Sequence, residues 1–251
     1  MDQKITVTDD GPVRIITINR PEVRNALDIE AASALSGAFD GFESEKTAKV
    51  AVLTGTGGSF CAGADLKEMA EKGAVYEPWA GKKGPNGKVL AKPVIAAVTG
   101  HACAGGLGVA LRCDIRIADE TAVFGVFYRR FGVPMSDGTT VRLPRIVGMG
   151  VALDMLMTGR PVGAEEALRI GLITRLVGTG AVLGESIALG KAIAGFPEVA
   201  LLSDRESMYG QADLPLEAAL QQEISLAGQA KRVQAQAGAA RFADGEGRHG
   251  R

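Results

Sequence analysis

Apolar and polar positions alternate at the start of the chain. Residues 4–20, KITVTDDGPVRIITINR, read as two strands around Asp9-Asp10-Gly11, a hairpin turn signal. After the polar loop NRPEVRNALD the period changes. Ala32, Leu35, Phe39 and Phe42 recur at helical spacing, and Asp28 stands where an N-cap belongs. KVAVLTG is a short continuous apolar run, read as a buried strand, and the loop GTGGSFCAGA closes it. DLKEMAEK then predicts a helix with Asp65 as its cap. Residues 73–91 lack period and carry many breakers, so the reading is a mobile surface segment that shapes the ligand pocket. PVIAAVT and CDIRIAD are two further buried strands, with the glycine-rich GHACAGGLGVALR between them. Strand, glycine-rich loop and helix thus occur twice, around 49–72 and 93–112, which predicts an α/β architecture of stacked turns. From about Pro197 the chain turns rich in Ala, Leu, Gln and Glu and reads as helical, with a frayed end at GEGRHGR. The expected division is a core over 1–195 and a helical region over 196–251.

Composition narrows the function. The 251 residues are 46% hydrophobic and 23% charged, with Lys plus Arg 28 against Asp plus Glu 29 and a net charge of −1. That balance makes no electrostatic case for nucleic acid or an anionic membrane surface. The longest uncharged stretch, Pro93–Leu111, contains a proline, glycines and His101, a poor membrane span. MDQKITVTDD is charged and lacks a signal-peptide core, so a cytoplasmic protein is expected. Cys61, Cys103 and Cys113 form no CxxC pair and read as reduced, buried thiols; with only His101 and His249 beside them, no metal site is expected. The dinucleotide, P-loop, nucleophile-elbow and HExxH patterns are all absent.

What remains are two glycine-rich loops that each leave a strand and enter a helix. The first N–H groups of a helix have no partner inside it, and the helix dipole adds partial positive charge there. Two such groups aimed at one point form an oxyanion hole. The plainer reading is that the glycines only permit tight turns and close packing.

Five blocks make the pattern specific: NRPEVRNALD (19–28), VLTGTGGSFCAGADLKEM (52–69), KPVIAAVTGHACAGGLGVALRCDIRIADETAVFG (92–125), GVPMSDGTTVRLPRIVG (132–148) and TGRPVGAEEALRIGLITRLV (158–177). In order and spacing they resemble the enoyl-CoA hydratase/isomerase family, the crotonase superfamily. The resemblance implies an α/β, crotonase-like spiral of ββα turns with a helical C-terminal oligomerisation region, forming homotrimers or dimers of trimers. It implies an acyl-CoA thioester as substrate, with coenzyme A entering only as part of that substrate and no separate cofactor. The thioester oxygen would be held by the backbone N–H groups of Ala64 and Gly105. Positions matching CoA contacts are Arg24, Ala26, Ala62, Asp65 and Leu66, with Lys67 a weaker candidate and His101 near the acyl pocket. Arg24 reads equally as a phosphate partner or a solvated loop residue, and Asp65 more readily as a helix cap than as a catalyst.

The chain departs from the family at two places. Typical hydratases of the family add water with two glutamates; the matching positions here hold Gly108 and Tyr128. Asp137 is the only acid between Glu120 and Asp154. It reads either as a general acid–base, helped by Tyr128, or as a cap for the helix after it. The expected function is therefore hydratase/isomerase-like enolate chemistry on an acyl-CoA, as a lyase or isomerase. The alternative is a non-catalytic acyl-CoA-binding member.

Overall fold

The computed structural model of the chain describes residues 3–73, 78–79, 87 and 89–245. The hairpin forms where the alternation places it. Strands β1 (Ile5–Asp10) and β2 (Val13–Ile18) pair antiparallel, from Ile5 opposite Ile18 to Asp10 opposite Val13. Arg14 locks the turn by donating to both carboxylate oxygens of Asp9 at 2.8 and 2.9 Å. From β2 onward the sheet is parallel, through β3 (Val50–Gly55), β4 (Val94–Val98), β6 (Ile115–Asp119) and β9 (Arg175–Val177), in the order β1-β2-β3-β4-β6-β9. β4 is buried along its whole length and β3 in all but its last residue, because both faces are covered. This is why these strands read as continuous apolar runs instead of alternating ones.

A second sheet was hidden inside the loops of the sequence. β5 (His101–Cys103) pairs with β7 (Val123–Gly125), and β7 with β8 (Val162–Gly163). The chain makes β4, then β5, then helix α3 (Gly105–Arg112); it next makes β6 beside β4 and β7 beside β5. Each of these two turns therefore lays one strand in each sheet before its next helix. Three-residue strands carry too little alternation to stand out in a sequence, so GHACAGG read as a loop.

Helix α1 (Ile29–Ser44) starts at the expected cap: the Asp28 carboxylate accepts from the Ala31 N–H at 2.7 Å. Its Leu35, Phe39 and Phe42 enter the core. Helix α2 (Leu66–Lys72) is capped by Asp65, which accepts from the N–H groups of Lys67 and Glu68. Helices α4 (Thr139–Val147), α5 (Met149–Thr158), α6 (Ala164–Arg169) and α7 (Val182–Ala194) follow.

Within residues 73–91 the described Gly73, Gly87, Val89 and Ala91 are exposed as expected, but the surface expectation needs correction at the buried positions. Trp79 and Leu90 are 8% and 4% exposed and belong to the core cluster, so these positions are not surface. Most of that segment lies outside the described residues, as does GEGRHGR from residue 246 on.

The chain divides into two compact units, Met1–Lys191 and Ala192–Arg251. The second consists of helices α8 (Glu198–Gly210), α9 (Leu216–Ala230) and α10 (Gln236–Ala243), with a π-helical turn, Lys231–Ala235, joining the last two. No single helix among the described residues is long and apolar enough to cross a membrane.

Candidate functional site

Two loops are stitched together at the top of the parallel sheet. The N–H of Cys61 donates to the His101 carbonyl at 2.8 Å, and the N–H of Cys103 donates to the Cys61 carbonyl at 3.0 Å. A second stitch binds the same loop to residue 27: the Leu27 N–H donates to Gly63 and the Asp65 N–H donates to Leu27, at 2.7 and 3.0 Å. In a parallel bridge of this kind the residue between, Ala64, turns its own N–H away from the partner strand. Gly63 is held at φ +100, and a Cβ there would lie 2.9 Å from the Gly105 nitrogen. The Ala64 loop and the start of α3 are therefore in contact.

Ala104 turns the chain into α3. It sits at φ 55 and ψ −127, a left-handed conformation that an alanine adopts only under constraint, and its N–H donates to the Gly125 carbonyl at 2.8 Å. Gly105 is the first helical residue, so its N–H has no acceptor within the helix. Neither this N–H nor that of Ala64 has an acceptor among the described residues. Both residues line one cavity of about 190 Å³.

The same cavity is lined by Arg24, Ala62, Leu66, His101, Tyr128 and Asp137. Eight of the eleven candidate positions singled out in the sequence thus converge, though they come from segments far apart in the chain. Lys67 is exposed and does not line the cavity. Ala26 and Asp65 are also not among the lining residues. They belong to an ion-paired cluster: Arg20 donates to the Ala26 carbonyl and pairs with Asp28 and Asp65, each at 3.1 Å. Asp65 is thus occupied as a cap and an arginine partner. Gly108 is buried in α3.

Asp137 is 2% exposed. The N-cap of α4 is Gly138 and not Asp137, but Asp137, one residue earlier, accepts from the Thr139 N–H at 2.9 Å and so closes the turn that leads into the helix. It also faces the cavity, so the two readings of the sequence are not exclusive. Burial pushes its carboxyl above the usual carboxylate range, against the lowering effect of the Thr139 hydrogen bonds. Tyr128 lies on a 3₁₀ turn, Phe127–Phe131, and is also buried. Burial, reinforced by the Asp137 charge, pushes its phenol up, so at neutral pH it is an O–H donor and not a phenolate.

The three thiols are inert by the same physics. Burial pushes Cys61, Cys103 and Cys113 up to about 12, so the cavity-lining Cys103 offers no thiolate at neutral pH. None of the three is in a disulfide. Among the described residues no cluster of His, Cys, Asp or Glu has the arrangement to hold a metal ion.

Two groups escaped the sequence. Asn25, fully buried at φ 58, donates to the carbonyls of Thr56 and Ser59 at 2.8 and 2.6 Å and accepts from the Arg20 N–H. It pins the 20–28 loop to the 56–60 loop, as a short amide tolerant of left-handed backbone can. Trp79 covers Gly105: a Cβ on that glycine would meet the indole Cζ2 at 2.1 Å. Its one signal was being the only tryptophan in the chain.

Known proteins share this sequence pattern and fold. The family model for enoyl-CoA hydratase/isomerase matches residues 9–248. The chain is 38% identical over 191 residues to an enoyl-CoA hydratase of Mycobacterium tuberculosis, covering 73% of this chain and 72% of that one. A probable enoyl-CoA hydratase of Rhizobium meliloti is 36% identical over 226 residues, covering 89% and 88%. The crystal structure of an enoyl-CoA hydratase from Mycobacterium marinum superposes with a TM-score of 0.91 at 31% identity, covering 97% of this chain and 96% of that one. With its family model spanning nearly the whole chain and its fold matched over the same length, the protein belongs to the enoyl-CoA hydratase/isomerase family, within the crotonase superfamily.

Proposed function

We propose that this protein is an enzyme of enolate chemistry on an acyl-CoA thioester. The backbone N–H groups of Ala64 and Gly105 stabilise the thioester oxygen as negative charge develops on it, and Asp137 moves the proton. The observation that carries this reading is the convergence of these three groups on one cavity. A thioester enolate needs donors aimed at its oxygen and one base within reach of the α-carbon. It needs no metal or redox group, so no separate cofactor is proposed. Tyr128, neutral and adjacent to Asp137, acts as a donor that orients the enolate or its proton. Arg24 sits at the cavity wall, placed to meet CoA phosphate.

The positions matching the two hydratase glutamates hold Gly108 and Tyr128. Two-carboxylate addition of water therefore lacks its groups, and a proton shift served by one acid is the reaction the residues support. Purified protein is expected to turn over members of an enoyl-CoA panel. Asp137→Ala is expected to lower kcat by about 10²- to 10⁴-fold while moving the Kd for CoA thioesters little. An unchanged kcat removes Asp137 from the mechanism.

The absent glutamates also favour a second reading, an acyl-CoA-binding member without turnover. Calorimetric binding together with no product across the panel selects it. On either reading we propose a cytoplasmic homotrimer or dimer of trimers.

A further inference from the structure

Four of the chain's aromatic residues face one cavity. The sequence has one Trp, three Tyr and eight Phe, and Trp79, Phe127, Tyr128 and Phe131 all line the site described above. Two of these rings stand on bare backbone. A Cβ on Gly105 would meet Trp79 Cζ2 at 2.1 Å, and a Cβ on Gly125 would meet Phe127 Cε1 at 2.3 Å. The two glycines are neighbours, because Gly125 pairs with Cys103 across β5 and β7 and its carbonyl takes the Ala104 N–H. The indole and the phenyl ring therefore flank the point at which the Gly105 N–H opens into the cavity. Phe131, 70% exposed, marks its mouth.

We infer that the acyl group this site selects ends in a planar aromatic ring, an aryl-substituted thioester such as a 4-arylbut-3-enoyl group that keeps a removable α-hydrogen for the proton shift, with Trp79 and Phe127 as the specificity-determining residues. This rests on the acyl-CoA reading proposed above and names its substrate class. Aromatic side chains favour stacked or edge-on contact with another π system over contact with a puckered ring of equal size. The volume agrees: an apolar cavity on the order of 150 Å³ holds one benzene ring. The 190 Å³ found here accommodates a ring and a short linker.

The test compares thioesters of matched size. Calorimetry on the full-length protein would measure cinnamoyl-CoA, 3-cyclohexylpropenoyl-CoA and crotonyl-CoA. Cinnamoyl-CoA is expected to bind at least about tenfold tighter than its cyclohexyl counterpart. Trp79→Leu is expected to shrink that ratio to about threefold or less, and Trp79→Phe to keep most of it. Quenching of the single tryptophan on binding gives an independent readout in the wild-type protein. Equal or tighter binding of the cyclohexyl thioester overturns the inference, and the wild-type comparison decides this even if Trp79→Leu does not fold. If crotonyl-CoA binds without any aryl preference, the selectivity fails and the acyl-CoA reading stands. If none of the three thioesters binds, the acyl-CoA reading itself fails.

Discussion

At Gly105 the missing side chain does two things. It leaves the N–H open at a helix start and lets the Trp79 indole close over the backbone. Gly105→Ala puts a methyl group inside that ring, so it is expected to cost about 1–3 kcal/mol by overpacking, read as a lower urea midpoint. Asp137 titrates with a sign that can be followed. Its folded carboxyl lies above the usual range, so the charged form is disfavoured by folding. Wild type therefore loses stability as pH rises from about 4 through the folded value. Asp137→Asn should escape that loss, making it relatively more stable at pH 7 than at pH 4 in paired urea titrations. If Asp137 is the base, the acid limb of kcat/KM should lie above about pH 4 and vanish in the Asn variant. Asp28 behaves oppositely. Burial opposes its charge, but the Lys4 and Ala31 hydrogen bonds and the Arg20 charge win and hold it below the usual range. Its contribution is complete above about pH 4 and is lost as pH falls through the folded value; Asp28→Ala should cost about 1–2 kcal/mol at pH 7.

The elements were legible to different degrees. The hairpin, α1 and α2 followed from period and caps, because Asp28 and Asp65 act within a turn of their own position. β5 and β7 were not legible: each has three residues, and each is a strand only because the other lies beside it. The contact between the 61–65 loop and α3 is likewise a product of assembly. Gly106 permits it, since a Cβ there would lie 2.0 Å from the Cys61 carbonyl oxygen, a backbone atom with little freedom to yield. Gly106→Ala is accordingly expected to push the two loops apart. Stability and thioester affinity should fall together, whereas Asp137→Asn should leave affinity nearly intact. Calorimetry on the two variants separates these outcomes.

Across the whole chain, apolar side chains remain exposed on separate elements. Met149, Leu153 and Met157 form a stripe along α5, and Leu216, Leu220 and Ile224 form another along α9. Exposed apolar stripes of this kind mark contact surfaces. Light scattering should therefore give a mass above the 26.0 kDa of one chain, and a monomer would contradict the proposed trimer. What the sequence determined by itself was the family, the α/β character of stacked turns, the helical C-terminal part and eight of the residues around the cavity. Local period, capping chemistry and the spacing of the five blocks carry that information along the chain. What only the tertiary structure decided was which backbone N–H groups stay open and what faces them. Ala64 is freed by a bridge to Leu27, Gly105 is covered by Trp79, and Asp137 is at once a turn-forming carboxylate and a wall of the cavity. Each of these depends on residues distant in sequence, and burial, which sets the protonation of Asp137 and Tyr128, exists only once the chain is packed.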